Sequence, residues 1–131
     1  DEAALLLGRP IVGIEALDAA AQALRALGAP AALLKGGHLP GDEVVDVLAL
    51  ADGRLAHLRS PRIATTNGHG TGCTLSSAIA AHRALGHALP SAVAQARSYI
   101  LGAIQAGAAV RTGHGHGPLN HGYAPVAQVV Q

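Results

Sequence analysis

Gly70, Thr71, Gly72 and Cys73 place two glycines and the single thiol of the chain ahead of an apolar-periodic stretch. Glycine lets successive backbone N–H groups converge, and a helix start adds partial positive charge. A phosphate, or a negative charge developing in a reaction, fits such a place. The positive helix end also favours the thiolate of a cysteine in its first turn, and a thiolate can take up a proton. Spacing alone leaves a second reading open: a Gly-rich helix start with a buried, inert cysteine.

A second loop has related chemistry. Lys35-Gly36-Gly37-His38 follows the short apolar run Ala31–Leu34. Gly-rich turns after strands are where α/β proteins place ligands. The Lys35 ammonium suits the phosphates of a nucleotide. The commoner fate of a lysine is a solvated head on a packed stem. His38 and His69 flank the glycines of the two loops and are expected as polar loop residues without a direct catalytic role. His114, His116 and His121 invite a metal reading, but their spacing is loose and no Cys or carboxylate joins them, so no metal site is expected. Asp42, Asp46 and Asp52 are candidate neighbours of Mg²⁺ by charge alone, and none is assigned as a ligand. Arg62, Arg97 and Arg111 are expected to be solvated, and Tyr99 to be a packing residue.

Several elements must hold these loops. Residues 2–7 read as a helix closed by Gly8 and Pro10, and Glu15–Leu27 as a second, with Leu17, Ala20, Ala21, Leu24 and Leu27 on one face. Ala31–Leu34 fits a buried strand. Val44–Leu50 and Arg54–Leu58 read as a hairpin around Ala51-Asp52-Gly53, and Arg62–Thr66 as an extended piece. A long helix starts near Gly70–Gly72 and ends at Gly86, carrying Leu75, Ala78, Ile79 and His82 on one face. Another covers Ser91–Ala106, with Val93, Ala96, Ile100 and Ile104 aligned, and the tail from Gly113 is irregular. The expected sheet is small: one or two parallel strands and a hairpin, under several helices. The class is α/β.

Composition excludes several functions. Half of the 131 residues are apolar and 13% are charged, which is a globular composition. The net charge is +1 and the aromatics are two tyrosines, so no polyanion-binding stripe is present and no nucleic-acid partner is expected. No apolar run reaches the ~20 residues of a membrane span. One cysteine and no basic-then-apolar leader point to a reducing, cytoplasmic setting. The chain opens on Asp1, not Met, and is expected to begin inside a longer protein.

The run Asn67-Gly68-His69-Gly70-Thr71-Gly72-Cys73-Thr74-Leu75-Ser76-Ser77-Ala78-Ile79-Ala80-Ala81 resembles the anion-hole segment of the hydroxymethylpyrimidine/phosphomethylpyrimidine kinases, within the ribokinase-like superfamily. Glu2–Ile11, Leu33–Leu39 and Gly113–His121 match the same family in the same order. Most of the superfamily has Asp where Cys73 stands; Cys there is typical of the pyrimidine kinases. Gly68 departs from the pattern, which usually has Thr.

The resemblance implies a three-layer α/β/α ribokinase-like fold. Residues 1–131 would be the C-terminal portion of one kinase domain whose N-terminal half lies outside this chain. It implies that Gly70, Thr71, Gly72 and Cys73 form the catalytic anion hole, with Cys73 as the base. Lys35, Gly36, Gly37 and His69 would bind the phosphates of ATP. The implied activity is ATP- and Mg²⁺-dependent phosphorylation of 4-amino-5-hydroxymethyl-2-methylpyrimidine and its monophosphate in thiamine biosynthesis, by a homodimer when full length. The alternatives are a pyridoxine or pyridoxal kinase of the same superfamily, and a non-catalytic nucleotide-binding fragment.

Overall fold

The computed structural model describes residues 2–126. Two compact units divide between Arg62 and Ile63.

The first unit begins with helix α1 (Glu2–Leu7), a single 3₁₀ turn (Ile14–Ala16) and helix α2 (Leu17–Arg25). Strands β1 (Ala32–Leu34), β2 (Glu43–Ala49) and β3 (Leu55–Pro61) follow, in the sheet order β1-β2-β3. In α2, Leu17, Ala20, Ala21 and Leu24 recur at helical spacing and form one apolar face. Leu17, Ala20 and Ala21 are buried with Leu34 of β1 and Val45, Val47 and Ala49 of β2. Two alanines at the contact let the helix lie close to the sheet. Central strand β2 is buried from Val45 to Ala49 without alternation, as expected of a strand covered on both faces.

The hairpin forms where Asp52-Gly53 predicted it. Gly53 takes φ 85°, and Leu50 N donates to Arg54 O at 2.9 Å. The Arg54 amide and guanidinium donate to the Asp52 carboxylate, the amide bond being the largest of the effects that hold its carboxyl below the ordinary carboxylate range.

One expectation about the sheet is overturned. β1 runs antiparallel to β2, with Leu34 opposite Val47, so the sheet has no parallel pair among the described residues. The reason lies in the connection. A parallel return needs a crossover of about a dozen residues or more, whereas residues 35–42 turn the chain straight back. The piece beyond Pro61 joins no strand; its one ladder-like bond runs from Arg62 N to Asp42 O at 2.7 Å.

Gly36 sits at a close approach of two backbones. A Cβ there would clash with the carbonyl oxygen of Val45, whereas a Cβ on Gly37 would meet nothing. Gly36→Ala is therefore expected to destabilise the fold by about 3 kcal/mol, because backbone, unlike a side-chain tip, cannot swing aside. Gly37→Ala is the matched control, and chemical denaturation of the pair measures the difference. Equal stabilities would show that the strand yields.

The second unit is a pair of packed helices, α3 (Thr71–Ala84) and α4 (Leu89–Gly107), followed by an irregular return. Gly86, at φ 89°, closes α3, and Pro90 occupies the first turn of α4, where its missing N–H costs nothing. The buried stripe of α4 is Ala92, Val93, Ala96, Arg97, Ile100, Ala103 and Gly107. Arg97 was expected in solvent but is only 8% exposed. It falls four residues after Val93 and three before Ile100, on the stripe itself. No helix among the described residues is long and apolar enough to cross a membrane.

Candidate active site

Gly70 is the cap of α3, at φ 84° and ψ 4°. This is the left-handed region, which a residue with a Cβ enters at a cost. The turn starts the helical ladder with Thr74 N donating to Gly70 O at 2.9 Å. Thr71 N makes a long bond of 3.4 Å to Gly68 O. The amides of Gly72 and Cys73 find no acceptor among the described residues. The space that a Cβ on Gly70 would take is empty. Unpaired N–H groups at the positive end of a helix, with open room beside them, form a donor set for an anionic phosphoryl group.

Cys73 lies in the first turn and is exposed, which excludes the reading of a buried, inert thiol. Its side chain lines an open groove of about 460 Å³ with Thr74, Ser77, Ala78, Tyr99 and His121. His121 Nε2 lies 3.0 Å from Thr74 Oγ1, and Tyr99 OH donates to His121 O at 3.0 Å. Tyr99 also packs on Tyr123, with ring centroids 5.8 Å apart. Its expected packing role is thus joined by a hydrogen bond that fixes one wall of the groove.

A residue that carried no expectation of its own holds the loop into α3. Asn67 is 6% exposed. Its Nδ2 donates to Gly107 O at 2.8 Å and Val110 O at 2.6 Å, and its Oδ1 accepts from Gly117 N at 3.1 Å. Thr65 Oγ1 accepts from Asn67 N and donates to Ala108 O. These bonds tie the segment before the glycines to the C-terminal end of α4 and to the irregular return. His69 sits between Asn67 and Gly70, exposed, and bridges Pro118 through the backbone. The only sequence signal was Asn before a Gly-rich turn, which any turn would show.

Lys35, Gly36 and Gly37 lie in the first unit; His69, Gly70, Thr71, Gly72 and Cys73 lie in the second. Within each unit the expected residues are contiguous. Lys35 is exposed and makes no hydrogen bond or ion pair among the described residues. Gly36 is buried and donates its N–H to Asp46 Oδ1 at 2.9 Å. Asp46, weighed from sequence as a neighbour of Mg²⁺, is 7% exposed and serves this turn instead. Arg62, expected in solvent, is half-buried and donates to three carbonyls of the same loop. The histidines of the return engage separate partners, His116 at Thr66 O and His121 at Thr74. No group of three His, Cys, Asp or Glu side chains among the described residues could hold a metal ion.

Residues 1–120 match the family model described as phosphomethylpyrimidine kinase. The hydroxymethylpyrimidine/phosphomethylpyrimidine kinase of Rhizobium meliloti (strain 1021) is 48% identical over 121 residues, covering 92% of this chain and 45% of that protein. A thiamine biosynthesis bifunctional protein of Geobacter sulfurreducens is also 48% identical over 121 residues, covering 92% of this chain and 24% of its own length. Among solved structures, an ADP complex of Bacillus subtilis pyridoxal kinase superposes with a TM-score of 0.85 at 31% identity, over 93% of this chain and 47% of that one. The chain thus spans a little under half the length of the kinases it matches. The α/β architecture is part of the ribokinase-like fold, as the sequence led one to expect. On the match of residues 1–120, the chain belongs to the phosphomethylpyrimidine kinase family.

Proposed function

We propose that this chain is the phosphate-handling portion of an ATP-dependent kinase of thiamine biosynthesis, acting on 4-amino-5-hydroxymethyl-2-methylpyrimidine and then on its monophosphate. The observation that carries the reading is an exposed thiol, Cys73, on the same helix turn as two unpaired amides. In this reading the amides of Gly72 and Cys73 stabilise charge on the transferred phosphoryl group. The Cys73 sulfur, as thiolate, takes the proton from the acceptor hydroxyl as its oxygen bonds to phosphorus and ADP leaves. Lys35, exposed and in no hydrogen bond or ion pair among the described residues, contacts the ATP phosphates, and Gly36 lets the loop lie close against β2 beneath them. His69 contributes at the edge of the anion hole. Mg²⁺ would enter with ATP and neutralise phosphate charge; no ligand for it is assigned in this chain. The natural protein is read as one ribokinase-like domain, cytoplasmic and homodimeric.

A second reading, a pyridoxal or pyridoxine kinase, is favoured by one observation, the superposition on pyridoxal kinases. The higher identity to pyrimidine kinases argues for the first. Product analysis on the natural protein that carries this chain separates the two. The pyrimidine is expected to yield mono- and diphosphate. Phosphorylation of pyridoxal with none of the pyrimidine would reverse the order of the readings.

A further inference from the structure

We infer that Arg62 is a positioning residue for nucleotide binding: its guanidinium sets the backbone of the Lys35–Gly41 loop so that the loop can receive phosphate. The inference rests on the kinase reading of that loop.

Arg62 Nε donates to Gly41 O at 2.6 Å, Nη1 to Gly37 O at 2.8 Å, and Nη2 to Leu39 O. No carboxylate pairs with it among the described residues. Three carbonyls of one loop converging on one point would repel each other, and a planar cation with a fork of donors removes that repulsion. The cation is itself anchored. Arg62 follows directly on β3, and its own N–H donates to Asp42 O at 2.7 Å. At the other end of the loop Asp46 holds the Gly36 amide, and Leu39 N donates to Gly36 O at 3.0 Å.

The consequence follows from peptide geometry. In a trans peptide the C=O and the next N–H point in opposite directions. Turning Gly37 O toward Arg62 therefore turns the His38 N–H away from it. That amide has no acceptor among the described residues. The loop thus offers an unpaired amide close in sequence to the exposed Lys35 ammonium, with its carbonyls, which would repel an anion, held against Arg62. A merely structural arginine would stabilise the loop without affecting nucleotide affinity.

The test uses the natural full-length protein and its variants Arg62→Gln and Arg62→Lys. ATP is titrated by calorimetry, amide exchange is followed over residues 35–41, and each variant is melted to check its fold. Arg62→Gln is expected to weaken ATP binding about tenfold or more, since small misplacements of binding groups are costly, and to speed exchange in the loop. Arg62→Lys, with charge but no fork, falls between; if Arg62→Gln fails to fold, Arg62→Lys decides alone. ATP affinity within about twofold of wild type in the folded variants would overturn the inference, as would unchanged exchange, or a wild-type protein that binds no ATP. A wild-type protein that binds ATP and shows the Arg62 effects but phosphorylates neither the pyrimidine nor pyridoxal would sink the kinase reading and leave the positioning role standing.

Discussion

Cys73→Ala in the natural protein is expected to lower kcat by about 10²–10⁴-fold, the usual share of a positioned general base, with ATP affinity nearly unchanged. The structure makes this a clean test. The thiol is exposed and makes no hydrogen bond among the described residues. Its removal leaves no cavity and no orphaned partner, and alanine is a better helix former than cysteine. Stability should therefore stay within about 0.5 kcal/mol of wild type, as for other surface changes. The backbone amide of residue 73, part of the proposed anion hole, survives the substitution. What disappears is the proposed proton acceptor alone. Steady-state kinetics beside a melting curve reads both quantities. Turnover near wild type would remove Cys73 from the base role while leaving the amide site in place. Cys73→Asp is informative in the other direction, since Asp is the residue most of the superfamily has at this place; it should recover part of the lost rate.

The parts of this fold that the sequence announces are those with a local signal. Helical spacing of Leu17, Ala20, Ala21 and Leu24 marks α2, and Asp52-Gly53 marks the hairpin. Gly70 and Gly72 ahead of an apolar period mark the start of α3, with the exposed thiol where the motif puts it. The direction of β1 had no such signal. It depends on the path of residues 35–42, which three distant groups settle: the Val45 backbone, the Asp46 carboxylate and the Arg62 guanidinium. Arg62 and Asp46 were read by charge type as solvent- or metal-facing. Their partners lie 10 to 25 residues away and are mostly backbone atoms, which carry no side-chain signature. Arg97 was misread for a related reason: its charge outweighed its position on the buried stripe of α4.

Asn67 is the strongest case of a long-range role without a local signal, and its replacement should have the largest effect on stability. Asn67→Leu keeps the branched outline of the side chain, though bulkier, and removes all its polar atoms. Gly107 O and Val110 O would lose a donor, and Gly117 N would lose an acceptor. A buried backbone group left unpaired costs about 1–3 kcal/mol. With partial relaxation the three together should cost about 3–5 kcal/mol, at the upper end for one substitution. Asn67→Asp sharpens the test. The two carbonyls can only accept and the Gly117 amide can only donate, so the side chain must present NH₂ to one side and oxygen to the other. Aspartate keeps the bond to Gly117 but turns an oxygen on both carbonyls and buries a charge. It is expected to be no better than leucine, although it differs from asparagine by one atom. Denaturant unfolding of the two variants beside wild type gives the energies. A loss under about 1 kcal/mol for Asn67→Leu would mean that water replaces the amide. Because this side chain helps tie the segment before Gly70 to the end of α4, that result would also mean that the geometry of the proposed anion hole is held by the glycines and by the remaining ties of Thr65 and His69.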